Sequence, residues 1–243
     1  MASRKRKTKG QLVIDLFLGE HVAGDASLKA LVSIVFVVTV LLTFGSYVFA
    51  AQDKTQHLVT FAGDSIMQGT SATRAGRTVV GRLEELRPYW FVRNYSVAGA
   101  SVTGNGVQWQ PMNPHAVTPL LGDTIVVFLG TNDWGFNVPL DTFRTNYENF
   151  INVLEFLHPN IVCVTPIWRV NDGAKNTVGQ TLGDYRAVIQ NVCTAHEHSV
   201  IDGLPLVPHD AKYYDGYGLH PNDSGYAHYA KNLAKALDPL MAQ

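Results

Sequence analysis

Residues 57–69 read HLVTFAGDSIMQG, an apolar run (Leu58, Val59, Phe61, Ala62) that stops abruptly at Gly63-Asp64-Ser65. An apolar run of this length bounded by glycine reads as a buried strand leading into a tight turn. A serine just beyond the C-terminal end of such a strand sits where an open α/β sheet places its ligands. Its hydroxyl also faces backbone N–H groups of the turn and of any helix that follows, a setting that favours developing negative charge. Taken alone, Gly-Asp-Ser is a common loop tripeptide, so its weight depends on what lies downstream.

Downstream, apolar β-branched runs alternate with helical stripes. Val79, Val80, Leu83 and Leu86 fall at helical spacing, with Pro88 just beyond. A strand over Trp90–Val97 follows, closing on Ala98-Gly99-Ala100-Ser101. Thr124 to Leu129 (TIVVFL) is a strongly apolar strand that ends on Gly130-Thr131-Asn132-Asp133. Leu140 to Leu157 carries a helical stripe, Ile161–Ile167 reads as a fourth strand, and Thr181 to His196 as another helix. Ser199 to Leu206 is a shorter, weaker strand, and a last helix begins near Ser224. This alternation predicts a three-layer α/β/α fold, a five-stranded parallel sheet with right-handed crossovers and helices on both faces. No internal repeat occurs, and neither nucleotide fingerprint, G-x-G-x-x-G or G-x-x-x-x-G-K-[ST], is present.

The N-terminal quarter differs from the rest. Leu31 to Ala51 is almost wholly apolar and uncharged, and is preceded by Arg4, Lys5, Arg6, Lys7 and Lys9. About 20 apolar residues are enough to span a bilayer, and the basic cluster keeps the N-terminus cytoplasmic. The chain therefore divides into a basic cytoplasmic leader (1–29), a transmembrane anchor (30–51) and an extracytoplasmic body (52–243). The competing reading is a cleaved signal peptide, because Val48-Phe49-Ala50 resembles a cleavage site, and it would make the body secreted. The long leader and long apolar run favour the anchor. From Ala51 onward the body carries 13 Lys+Arg against 17 Asp+Glu, which gives no footing for nucleic acid.

The two cysteines, Cys163 in a strand-like run and Cys193 in a helix-like run, are a number that an ordinary core also leaves, although an exported protein can join them. His196 and His198 flank Glu197 on a predicted helix. Residues two apart do not share a helical face, so they read as a solvated helix end, and no spacing suggests a metal site.

Ser65, Gly99 and Asn132 each follow a strand, and parallel strands bring such ends to one rim. His220-Pro221-Asn222-Asp223, between the last strand and last helix, belongs to the same rim. A serine, a histidine and several donors on one edge suit acyl transfer. Gly63-Asp64-Ser65, Gly99 after Asn94–Ala98, Gly130-Thr131-Asn132-Asp133 and Leu219-His220-Pro221 resemble the four blocks of the SGNH (GDSL-like) hydrolase superfamily, in the same order and across the body from Leu58 onward. The resemblance implies a flavodoxin-like fold, with Ser65 as nucleophile and His220 as base and then acid, and with no metal or cofactor. It also implies an oxyanion hole made of the Ser65 and Gly99 N–H groups and the Asn132 amide.

The family usually has an aspartate three residues before the histidine, and here that position is Tyr217. The nearest acid is Asp215. The flanking Gly216 and Gly218 allow a bulge that lets Asp215 reach His220; a backbone carbonyl orienting the ring, or a weakened site, are the alternatives. Asp64 and Asp133 are expected to brace their loops through backbone hydrogen bonds. Trp109, Trp134 and Trp168 follow three strands and suit the walls of a cleft for sugar rings or acyl chains. The expected activity is ester hydrolysis on a small-molecule, glycan or lipid ester. Its rivals are O-acyl transfer to a cell-envelope glycan and a silent binding domain.

Overall fold

The computed structural model describes residues 56–104, 124–157 and 160–241. Five strands, β1 (His57–Gly63), β2 (Trp90–Asn94), β3 (Thr124–Phe128), β4 (Ile161–Val164) and β5 (Ser199–Ile201), form one sheet. Every pairing in it is parallel and the strand order is β2-β1-β3-β4-β5. Among the described residues six α-helices accompany them: α1 (Ser65–Gln68), α2 (Val79–Leu86), α3 (Thr131–Gly135), α4 (Leu140–Leu157), α5 (Leu182–Ala195) and α6 (Asp223–Met241).

Alternation along each strand sorts the core into two layers. Phe61, Val126, Phe128 and Val164 face α2 and α6, meeting Leu83, Tyr229 and Leu233. Ile125, Val127, Leu129 and Cys163 face the other way, onto Phe143, Tyr147 and Ile151 of α4 and Ile189 of α5. All five residues of β3 are buried, as a central strand covered on both faces requires. The expected α/β/α sandwich with five parallel strands is what forms.

Local chemistry sets the element ends. Thr78 caps α2 by accepting from Gly81 N at 3.1 Å, and Thr181 with Asp184 makes a capping box at the start of α5. The expected strand over Ser199–Leu206 stops at Ile201. Pro205, which has no N–H to give to a ladder, lies instead in a 3-10 turn over Leu204–Leu206. β2 likewise ends at Asn94, yet Tyr95 N and Val97 N still donate to Phe61 O and Gly63 O at 2.8 and 2.9 Å, guiding the chain along β1 to the rim.

Two expectations from the sequence are corrected. Cys163 and Cys193 form a disulfide between β4 and α5. Both lie in the core layer between these elements, and packing there sets their Cα atoms 6.5 Å apart, within bridging range. Replacing both by alanine is expected to lower the unfolding free energy by roughly 2–5 kcal/mol, read as a lower denaturant midpoint, with a steeper slope because the unbridged unfolded chain exposes more surface. An unshifted midpoint would show that the bridge contributes nothing.

His196 and His198 do not lie on one helix. α5 ends at Ala195 and Glu197 takes a left-handed turn with φ 59°, so both rings swing to one side. His196 Nδ1 and His198 Nε2 each lie 2.9 Å from Oε1 of Glu155 on α4. Burial pushes the Glu155 carboxyl up, but the two histidines outweigh it and leave it below its ordinary value. The pair ties the ends of α4 and α5 together. Among the described residues no group of His, Cys, Asp and Glu is placed to hold a metal ion.

Among the described residues no helix is long and apolar enough to cross a membrane. The expected leader (1–29) and span (30–51), and Trp109, lie outside the described residues.

Candidate active site

In the order β2-β1-β3-β4-β5 the chain reverses its direction of growth between β1 and β3, and open α/β sheets take ligands outside the carboxyl ends of the strands at such a point. Ser65 follows β1 there and Asn132 follows β3.

β1 ends at Gly63, where no side chain fits: a Cβ would lie 2.7 Å from Met67 Cβ. Asp64 then caps α1 by accepting from Ile66 N at 2.9 Å, which sets Ser65 at the first helical position. The N–H there has no acceptor inside the helix. Gly69, at φ 100°, ends the single turn, and Tyr226 of α6 donates to Ile66 O or Thr70 O, at 3.0 and 2.8 Å. The short turn bearing Ser65 is therefore held from below by a buried phenol that the sequence did not flag.

Across the rim, Ser65 Oγ lies 2.9 Å from His220 Nε2, and His220 Nδ1 lies 3.0 Å from Asp215 Oδ2. Asp215 reaches the ring because its own side chain folds the loop. Oδ1 accepts from Tyr217 N and Leu219 N, each at 3.1 Å, and Gly218 N donates back to Asp215 O at 2.9 Å. Gly218 sits at φ 67°, and a Cβ there would lie 2.4 Å from Val170 Cβ, so both backbone and space call for glycine. Tyr217, at the position where the family pattern has its acid, turns outward and is 91 % exposed. Of the three alternatives for orienting His220, the structure takes the bulged loop.

Asn222 steadies this loop from its far side, donating through Nδ2 to Lys212 O and Tyr214 O at 2.7 and 3.1 Å. Ser71 adds a hydroxyl donor to Asp215 Oδ2 at 3.1 Å. Asn222 was placed on the rim by the sequence but without a role, and Ser71 was not singled out, because each acts through a contact across loops. Burial pushes the Asp215 carboxyl up, but hydrogen bonds from Leu219, His220 and Ser71 prevail and hold it below its ordinary value. An ionised Asp215 accepts from Nδ1–H, which leaves Nε2 as the acceptor for the Ser65 hydroxyl.

Besides the Ser65 N–H, the oxyanion candidates lie on the loop after β2 and at the start of α3, which interlock. Gly99 adopts φ 77°, closed to most side chains. Asn132 Nδ2 donates to Ala100 O at 2.8 Å, and Asp133 accepts from Val102 N and Thr103 N at 3.2 and 3.1 Å. One of the two amide hydrogens of Asn132 is thus used to lock the Gly99 loop, and the second remains to donate elsewhere. Asp64 and Asp133 are both fully buried, and burial, opposed by backbone hydrogen bonds, pushes their carboxyls up to about 7 and about 6. Both brace backbone, as expected.

The tryptophans behave unequally. Trp168 packs down onto Tyr214 and stacks on His209, with ring centres 5.3 Å apart in each case. Trp134 is pinned by its Nε1 donating to Gln180 O at 3.1 Å, with the Arg169 guanidinium over its face at 4.8 Å.

Such a relay of hydroxyl, imidazole and carboxylate at strand ends is the equipment of acyl transfer, and comparison with known proteins agrees on the fold that carries it. The chain resembles a salicylyl-acyltransferase from a tetracycline biosynthetic pathway (TM-score 0.64, 22% identity, 76% of this chain and 55% of that one). It also resembles a carbohydrate acetylesterase family member from Sinorhizobium meliloti (TM-score 0.63, 16% identity, 77% and 100%). A third similar structure is a member of the lipolytic protein G-D-S-L family from Veillonella parvula DSM 2008 (TM-score 0.58, 20% identity, 73% and 96%). No curated protein matches the sequence. The profile of the GDSL-like Lipase/Acylhydrolase family matches residues 61–228, from within β1 into α6 and so across every element of the rim just described; the chain belongs to that family.

Proposed function

We propose that this chain is a serine-dependent ester hydrolase that works through an acyl-serine intermediate on an extracytoplasmic ester. The observation that carries the proposal is the unbroken relay from Ser65 Oγ through His220 to Asp215, at 2.9 and 3.0 Å. Ser65 Oγ attacks the ester carbonyl carbon while His220 Nε2 takes its proton. The carbonyl π electrons move to oxygen, where the N–H groups of Ser65 and Gly99 and the Asn132 amide stabilise the oxyanion. As the C=O re-forms, the alkoxide leaves and takes the proton from His220. Water then repeats the sequence on the acyl-serine, releasing the acid and restoring the hydroxyl. Asp215 keeps the imidazole in the required tautomer and stabilises the imidazolium, without itself taking the proton.

An extracytoplasmic body anchored by residues 30–51 is supported by the basic run ahead of an apolar stretch. The Cys163–Cys193 bond, of a kind that persists in oxidising compartments, supports the same placement. Small-molecule, glycan or lipid esters are the substrates such a location offers. Transfer to an acceptor hydroxyl uses the same acyl-serine, and the likeness in fold to a salicylyl-acyltransferase keeps that reaction as the second reading.

The test is to incubate the full chain in detergent with 4-nitrophenyl acetate, quench, and look by mass spectrometry for an acetyl adduct on the peptide containing Ser65. An adduct that water discharges supports hydrolysis. One discharged faster by an added sugar alcohol, with ester formed, supports transfer. Absence of any adduct and any turnover sinks both. Asn132→Ala is expected to lower kcat by on the order of a hundred- to a thousandfold with a smaller change in KM, the loss typical of one oxyanion donor. A loss expressed only in KM would remove Asn132 from that role.

A further inference from the structure

The loop after β4 carries a cation, Arg169, whose Nε finds no hydrogen-bond partner among the described residues. Arg169 is followed by Val170, whose N–H donates to Gly218 O at 2.9 Å, in the loop that presents Asp215 and His220. On its other side the guanidinium lies over Trp134, two positions beyond Asn132. Trp134 in turn is held by Gln180 O and, through its own carbonyl, by Asn176 Nδ2 at 3.1 Å each. The segment Arg169-Val170 thus joins α3, which follows β3, to the loop that precedes α6, on the rim that holds Ser65.

Arg169 makes no ion pair among the described residues, and its Nε is buried with no hydrogen-bond partner. The nearby arginine shows that the fold is able to pair such a group. Arg186 gives Nε to Pro166 O at 2.7 Å and another donor to Ile167 O at 2.8 Å, and its remaining fork takes both oxygens of Asp172. Asp172 is thereby occupied. Burial lowers the pKa of Arg169, with Asp172 and Asp215 opposing, so the cation stands within electrostatic reach of the relay.

A partly desolvated guanidinium with unused donors is costly unless a ligand answers it. Its planar fork matches a carboxylate or phosphate through two parallel N–H···O bonds, and stacking on an aromatic face fixes the plane in advance. We propose that Arg169 is the anion-recognising residue of this cleft: the ester substrate carries a carboxylate or phosphate group that the Arg169 fork receives while its carbonyl lies at Ser65. This deepens the reading of Ser65 as nucleophile and rests on it.

Matched ester pairs, assayed with the full chain in detergent, test the inference. 4-Nitrophenyl hemiglutarate against 4-nitrophenyl butyrate places the anion in the acyl part. 4-Acetoxybenzoate against phenyl acetate places a carboxylate in the leaving group, and 2-acetoxyethyl phosphate against 2-hydroxyethyl acetate places a phosphate there. In at least one pair kcat/KM is expected to favour the anionic member by about tenfold or more, the scale of a hydrogen bond to a charged group. Arg169→Gln should collapse that ratio and Arg169→Lys restore part of it; a merely structural arginine would depress both members alike. No preference in any pair, or a ratio that survives Arg169→Gln, overturns the inference.

Binding of glutarate and of glycerol phosphate to the Ser65→Ala chain, by calorimetry, separates this inference from the chemistry. Binding that disappears when Arg169→Gln is added upholds the anion site even if no ester is turned over, in which case only the Ser65 reading falls. No binding of either anion overturns the anion site even if neutral esters are hydrolysed.

Discussion

Ser65→Ala is expected to abolish ester turnover, lowering kcat by on the order of ten thousand- to a millionfold, and to remove the acyl adduct altogether. The size of the loss follows from what the hydroxyl alone supplies. In the proposed mechanism its Oγ is the group that forms the bond to substrate, and the proton that His220 Nε2, 2.9 Å away, takes in the acylation step is the one on that hydroxyl. The residual rate comes from oxyanion donors and binding, which alanine leaves in place. Little structural damage should accompany the change, because the cap of α1 is the Asp64 carboxylate and the turn is held by Gly69 and Tyr226, none of which uses the serine side chain. An unchanged melting temperature with lost turnover is therefore the expected pair of readings. Turnover that survives Ser65→Ala would falsify the acyl-serine mechanism outright.

Asp215→Asn should be nearly as damaging, with kcat reduced by roughly ten thousandfold, while Tyr217→Phe stays within about twofold of the parent. Asparagine keeps an oxygen for the Tyr217 and Leu219 N–H groups that shape the loop. Its amide, however, presents N–H toward His220 Nδ1, which must then become an acceptor and carry its proton on Nε2. That tautomer donates to Ser65 Oγ where it should accept, and the base is lost without loss of the fold. Because the Asp215 carboxyl is held below its ordinary value, it is ionised throughout the range where histidine titrates. Raising the pH should therefore leave the gap between parent and Asp215→Asn in place. Tyr217 is 91 % exposed, so removing its hydroxyl should matter little. A large loss in Tyr217→Phe with little in Asp215→Asn would reverse the assignment.

The departure at Tyr217 shows where motif spacing stops being informative. Spacing of acid and histidine is conserved only as long as the intervening loop keeps one shape. Here Gly218 in a left-handed conformation and a carboxylate that collects two backbone N–H groups draw Asp215 under the ring from five residues away. The glycines on either side of Tyr217 made such a bulge conceivable from the sequence. Choosing it over a carbonyl-oriented or weakened site required knowing that the loop packs against Val170.

What the sequence by itself determined is whatever follows from local pattern. Apolar runs, three of them closing on glycine, marked the five strands, helical stripes marked the long helices between them, and the requirement for parallel crossovers put Ser65, Gly99, Asn132 and His220 on one rim. These features survive any detail of packing, because strand period, helix period and crossover hand depend on backbone geometry common to all chains. The tertiary structure alone decided the Cys163–Cys193 bond, the convergence of His196 and His198 on Glu155, the reach of Asp215, and the contrast between Arg186, forked onto Asp172, and Arg169, whose Nε has no hydrogen-bond partner among the described residues. Each of these turns on a separation of a few ångströms between groups distant in sequence or turned by a loop. Periodicity carries no information about such separations; close packing of the two core layers and the hydrogen bonding of the rim loops set them.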